Sequence, residues 1–395
     1  DGQPLATLTA HASTGAWTYD LDNGSKAVQS LNAGETATDT FTVTVKDNHG
    51  ATTTQDVIIT ITGSNDGPKV TSGAQSGAVS EDGSLTAEGQ VKAEDIDHGA
   101  VLTYTVAGDG EGAYGSLHLD AATGEWTYKL DNAASGVQAL SAGETVTETF
   151  TVKVTDDNGA TATQDVTITI TGTNDKPEIT SGVQAGSVQE DAVLQASGKV
   201  TATDVDHGSV LAYSVPKDGA GQYGALQLDA KTGAWTYSLD NDATDVQALG
   251  EGQSVTETFT VTVTDEHGAT ATQDVTITIA GTNDAPVVTS NDPGNPSGTV
   301  FGTAVEGGGT SALDALANAS DADAGTQLEV VFDPKDLPDG VTYDAATHSF
   351  VLDPSNGAYD HLAKGEPLVV TVNYQVSDGT ASVPASVQWT VTGTN

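Results

Sequence analysis

The stretch Gln164-Asp-Val-Thr-Ile-Thr-Ile-Thr-Gly-Thr-Asn-Asp175 sets how the rest of the chain is read. It occurs first as Gln55-Asp-Val-Ile-Ile-Thr-Ile-Thr-Gly-Ser-Asn-Asp66 and again as Gln273-Asp-Val-Thr-Ile-Thr-Ile-Ala-Gly-Thr-Asn-Asp284, at a constant 109-residue step. Thr and Ile alternate with period two, which puts an apolar row on one face of an extended segment and a hydroxyl row on the other. That is the pattern of a half-buried β-strand. The strand runs into a glycine, an Asn-Asp pair and, two residues later, Pro68, Pro177 or Pro286. A strand that stops at an acidic, proline-fixed joint and returns at a fixed interval implies a string of similar units. Trp17, Trp126 and Trp235 keep the same step. A period this long is one sandwich-sized domain, whereas solenoid repeats run to roughly 20–50 residues.

The joints divide the chain into a partial unit (1–66), two full units (67–175 and 176–284) and a divergent one (285–395). Asp1 falls in mid-repeat, so the chain is expected to be a segment of something longer. Acidic residues number 55 against 12 basic ones, none of them arginine, for a net charge of −43. A polyanion without arginine does not hold phosphate backbones or anionic membrane surfaces, which excludes both as partners. Such self-repulsion destabilises a compact state unless cations are bound. The absence of cysteine excludes disulfides, thiol catalysis and thiolate metal sites. No apolar run of membrane-spanning length occurs.

In the first full unit, alternation and turn signals place strands at 70–79, 85–93, 101–106, 116–119, 125–130, 149–154 and 160–170, with one helical turn around 137–140. Seven strands and almost no helix predict an all-β fold of tandem Greek-key β-sandwiches, antiparallel throughout. Successive strands reverse direction. The loops holding Asp95 and Asp97, Asp120, and 156–158 therefore share one end with the incoming joint at Asn65-Asp66. Glu81 and Asp82 lie at the other end, where the next joint leaves. The divergent unit repeats the plan with Asp321 and Asp323 in place of Asp95 and Asp97. Glu306 stands near the position of Glu81, Phe350 near that of the tryptophan, and the turn is shortened to Asp378-Gly379.

This strand order gathers three sets of oxygen donors. The first is Asn65, Asp66, Asp95, Asp97, Asp156 and Asp157, with Asn158 in the same turn. The second is Asn174, Asp175, Asp204, Asp206, Asp265 and Glu266. The third is Asn283, Asp284, Asp321, Asp323 and Asp378. Converging carboxylates repel unless a cation neutralises them, and an oxygen-only set suits calcium rather than zinc or copper. Asp, Asn and Gly are also the residues that turns favour, and a single Asp-X-Asp carries little weight. The signal here is its recurrence in register beside an Asn-Asp joint. His49, His98, His207 and His267 lack zinc-site spacing and read as solvated loop residues. Glu81-Asp82 and Glu190-Asp191 are the recurring acidic pairs that could serve as an acid and a base. An active site repeated in tandem is not expected of an enzyme, so the chain reads as non-enzymatic. Trp126, Tyr128, Trp235 and Tyr237 fall on one strand face and read as core.

As a set, these motifs are Thr-Asn-Asp-X-Pro, Val-X-Glu-Asp, Ala-X-Asp-X-Asp-His-Gly, Thr-Gly-X-Trp-Thr-Tyr and Val-Thr-Asp-X-X-Gly-Ala-Thr. The set resembles the VCBS and cadherin-like repeats of giant bacterial repeat-in-toxin adhesins. The likeness is close through Asp284 and looser beyond it. It implies Ig-like or cadherin-like domains in an extended rod, type I secretion to the bacterial cell surface, and adhesion or biofilm formation. It also implies calcium at the joints, held by Asn65, Asp66, Asp95, Asp97 and their counterparts. The implied role is that of an extender whose partners are its own neighbouring repeats. Two other roles remain open at this point. One is a carbohydrate- or protein-binding module in the last unit. The other is a filament subunit that self-associates by strand donation, since strands one to three are missing from the first unit. The sequence names no extracellular glycan or protein ligand.

Overall fold

Isoleucine and valine at every second position pack only if their strand is covered on one face, and the computed structural model shows how each is covered. It describes residues 5–292, 294 and 298–394. The limits Asp1 and Asn395 used above to bound the first and last units lie outside them. The chain forms two units, Asp1–Lys176 with Asp204–Val210, and Pro177–Thr203 with Leu211–Asn395.

In the first unit, residues 67–175 hold seven main strands: β1 (Gln75–Ser80), β2 (Thr86–Gln90), β3 (Thr103–Val106), β4 (Gly115–Leu119), β5 (Glu125–Leu130), β6 (Thr145–Thr155) and β7 (Thr161–Thr171). They build a four-stranded sheet, β1-β7-β6-β3, and a three-stranded sheet, β4-β5-β2. β6 and β7 pair antiparallel over their whole length, from Thr145 opposite Thr171 to Thr155 opposite Thr161. Val166, Ile168 and Ile170 point inward and are fully buried, as are Val152 and Val154. Trp126 and Tyr128 meet them from the facing sheet. Each such side chain contributes about 1.5–3 kcal/mol of burial. The threonines of both strands form the outer face.

One expectation needs correction. Residues 70–79 are not one strand, and the sandwich is not antiparallel throughout. Lys69–Val70 pairs antiparallel with Ala93–Glu94, whereas β1 pairs parallel with β7. Between them the chain leaves the first pairing, with the amides of Thr71 and Ser72 both donating to the Lys92 carbonyl. The break lets one segment serve two sheets. The remainder of this unit holds two hairpins, Ala6–Ala10 with Trp17–Leu21 and Thr36–Lys46 with Thr52–Thr62. Trp17 is 44% exposed where Trp126 is 2% exposed, because no described strand before Asp66 plays the parts of β1 and β2.

In the second unit, two further sandwiches have the same plan. In one, Gln184–Gln189 lies parallel to Thr270–Ala280; in the other, Thr299–Val305 lies parallel to Ser382–Thr392. Each has its own core, around Trp235 and Tyr237 in the first and around Phe350, Tyr374 and Trp389 in the second. Phe350 is fully buried, as its place in the pattern led us to expect, and Trp389 donates to the Ser311 hydroxyl at 3.2 Å.

Candidate functional site

The joints draw together the ends of several strands. At the first, the Asp66 amide donates to Asp97 Oδ2 at 2.9 Å, and the Asn65 side-chain amide donates to Asp156 Oδ2 at 3.0 Å. The Asp97 amide in turn donates to Asp95 Oδ1 at 3.0 Å, so the Asp-X-Asp loop folds back on itself. Asp156 Oδ1 accepts from the amides of Asn158 and Ala160, which closes the β6–β7 turn. These bonds leave Asp95 Oδ2 and Asp97 Oδ1 buried and without a hydrogen-bond partner among the described residues. Asp97 is itself only 5% exposed. A buried carboxylate oxygen without a donor is costly, and a cation removes that cost.

The third joint has the same geometry inside the second unit. The Asp284 amide donates to Asp323 Oδ2 at 3.1 Å, Asn283 to Asp378 Oδ2 at 3.0 Å, and the Asp323 amide to Asp321 Oδ1 at 2.9 Å. Asp284 Oδ2, Asp321 Oδ2 and Asp323 Oδ1 are buried here without a hydrogen-bond partner among the described residues. At the second joint, within the first unit, the Asp175 amide donates to Asp206 Oδ2 and the Asp206 amide to Asp204 Oδ1, each at 3.0 Å. Asp175 Oδ2 and Asp204 Oδ2 are buried and have no hydrogen-bond partner among the described residues. Asp265 lies in the other unit and closes its own turn by accepting from His267 and Ala269. Asp157 is exposed and accepts from the Val101 amide, and Glu266 is also exposed.

A set of residues that the donor sets above omit completes the picture. Glu81 is fully buried; its Oε2 accepts from the Thr173 amide at 3.0 Å and its Oε1 from Gln138 at 2.8 Å. Gln138 ends the helical turn Ser135–Gln138. Glu190 repeats this arrangement with Thr282 and Gln247, and Glu306 accepts from Thr394. The recurrence of Val-X-Glu-Asp, placed where each joint leaves, was the signal that could have added them to the pools. Burial raises the pKa of Glu81 above the ordinary carboxylate value, with the charges of Asp175, Asp82 and Asp206 adding to it. Burial and neighbouring carboxylates likewise raise Asp175, Glu190, Asp284 and Asp323. The Asn65 amide holds Asp156 below its usual value. Carboxylates whose pKa values are raised by burial and by one another's charge mark a site of excess negative potential. Among the described residues no three or more His, Asp or Glu side chains close on a single point.

Comparison with known proteins agrees with this architecture. A family model described as a bacterial cadherin-like domain matches residues 65–172 and 174–281, and one described as a bacterial Ig domain matches residues 1–60. No curated protein matches the chain. Among solved structures, protocadherin gamma B2 extracellular cadherin domains 1–5 align at a TM-score of 0.54 and 16% identity, over 100% of this chain and 73% of that one. The protocadherin gamma B4 extracellular domain aligns at 0.51 and 17%, over 98% of this chain and 59% of that one. At such identities the likeness is one of fold. No helix among the described residues is long and apolar enough to cross a membrane.

Proposed function

The chain belongs to the family of bacterial cadherin-like domains, and from that premise we propose that it is a non-enzymatic extender segment of a secreted, cell-surface bacterial adhesin, stiffened by calcium at its joints. The observation that carries this reading is the recurrence, beside each Asn-Asp joint, of two or three buried carboxylate oxygens without a hydrogen-bond partner among the described residues. Calcium takes six to eight oxygens. Asp175, Asp204, Asp206 and Glu81 at the second joint, and their counterparts at the others, offer carboxylates, and joint carbonyls and water complete the set. A bound divalent cation supplies the positive charge that this arginine-free chain lacks. The resemblance of the repeated motifs to those of repeat-in-toxin adhesins supports type I secretion and a role in adhesion or biofilm formation as parts of this reading. The domain limits 1–66, 67–175, 176–284 and 285–395 belong to the same proposal.

A thermal melt tests the calcium part. Extracellular calcium modules bind at about 10⁻⁴–10⁻³ M, so millimolar calcium is expected to raise the melting temperature over that in chelator. Asp204→Asn with Asp206→Asn is expected to remove much of that rise. Identical melting in the two buffers would sink the reading.

A further inference from the structure

The three joints have alike acidic loops but unlike clasps. At the first, the His98 amide donates to the Ser30 carbonyl at 3.0 Å, and its imidazole Nδ1 lies 3.3 Å from the Glu35 carboxylate. Asn158 also reaches back to Asn32 Oδ1 at 2.8 Å. At the second, the His207 amide donates to the Ala139 carbonyl at 2.9 Å, its Nδ1 lies 3.2 Å from Glu144, and the Ser141 hydroxyl donates to the His207 carbonyl at 2.7 Å. At the third, only the backbone part remains: the Ala324 amide donates to the Ala248 carbonyl at 3.0 Å. Alanine stands there for the histidine, Gln253 for the glutamate and Gly250 for the serine. The shortened turn at Asp378-Gly379 has no counterpart of Asn158. Among the described residues no side-chain hydrogen bond ties 248–253 to the last sandwich. The acidic load is undiminished, with Asp191, Asp284, Asp321 and Asp323 near Glu190 or one another.

We propose that the joint at Asn283-Asp284 is the chain's built-in bending point. The earlier joints hold their Asp-X-Asp loop by side-chain clasps that need no ion. At the third joint the Asp-X-Asp loop is tied to 248–253 by one backbone hydrogen bond, and the rest of its closure falls to the Asn283 and Asp284 bonds shared by the other joints and to whatever cation neutralises its carboxylates. It therefore opens first when cations are scarce, while the clasped joints stay closed. This inference rests on the calcium reading only for what closes the third joint; the inequality of the clasps stands without it.

Hydrogen exchange on the full chain reads the difference. In chelator, the amides of Asn283 and Asp284 are expected to exchange about ten-fold faster than those of Asn65 and Asp66, the effect of losing two side-chain hydrogen bonds together. Gly250→Ser with Gln253→Glu and Ala324→His installs the missing clasp. A Cβ at Gly250 meets Asp323 no closer than 3.5 Å, so the serine fits. This variant is expected to bring the third joint to within about two-fold of the first. His98→Ala with Glu35→Gln is expected to move the first joint toward the third, so the test survives if the triple variant fails to fold. Equal exchange at the two joints in the parent chain, or no movement in either variant, overturns the proposal. The calcium reading is judged separately, between buffers, and the bending point between joints within one buffer.

Discussion

Gly89 lies beneath Trp126, where a Cβ would come within 2.4 Å of the indole Cζ2. Gly198 holds the same place under Trp235, at 2.5 Å. Gly73 lies in the exposed connection before β1, and a Cβ there would meet nothing within 4 Å. Gly89→Ala is therefore expected to lower stability by about 1–3 kcal/mol through overpacking, and Gly73→Ala to stay within about 0.5 kcal/mol of the parent. Denaturant unfolding of the two variants checks this, and equal midpoints would contradict it. A second residue-scale prediction concerns Glu148, which is 8% exposed although it is charged. Its carboxylate accepts from the amides of Ala113 and Tyr114 and from the Tyr128 hydroxyl, the last at 2.7 Å. Burial first, then the bond to Glu148, raises the Tyr128 pKa well above that of an ordinary phenol. Tyr128→Phe removes a charge-assisted bond inside the sandwich and is expected to cost about 1.5–3 kcal/mol. An unchanged unfolding midpoint would contradict that. Nothing in the sequence marked Glu148 as buried. It stands in a Thr-rich strand at an inward-facing position, and only the strand's register shows it.

At the scale of elements, strand order was legible because turn residues and two-residue alternation state where each strand ends and which face it buries. The split of 70–79 was not legible. Its two halves alternate alike, and the change of sheet depends on tertiary pairing with Ala93–Glu94 and β7 rather than on local pattern. The joint acids recur in the sequence, but Glu81 and Glu190 stood out there only as members of the recurring pairs Glu81-Asp82 and Glu190-Asp191; the amides of Thr173 and Thr282 that donate to them place them beside the joints. These joints give a pH prediction. Burial and neighbouring carboxylates raise the pKa values of Glu81, Asp175, Glu190, Asp284 and Asp323 in the folded chain. A group raised in this way takes its proton in the native state before it does in the unfolded chain. Ion-free stability therefore rises as pH falls from neutrality toward the ordinary carboxylate range near pH ~4, and falls as pH rises through the folded values. Asp156, held low by Asn65, opposes this only as pH drops below that range. The melting temperature in chelator is expected to be higher at about pH 5 than at about pH 7.5, and calcium is expected to shrink the difference by taking the place of the protons. A steady fall in chelator from pH 7.5 to pH 5 would contradict the geometry of the joints.

For the whole molecule, a net charge of −43 with 12 lysines and no arginine makes cations part of the stability balance. Monovalent salt screens that charge in a general way. It does not satisfy Asp97 Oδ1, Asp323 Oδ1 and the other buried partnerless oxygens, which ask for a fixed ion. The most direct measurement is calorimetric titration of calcium into the chelator-treated, dialysed full chain at moderate salt. The account predicts saturable binding with dissociation constants on the order of 10⁻⁴–10⁻³ M, weakened in Asp284→Asn with Asp323→Asn at the third joint and retained at the others. Heats that never saturate, or binding that persists unchanged in that variant at every site, would contradict it.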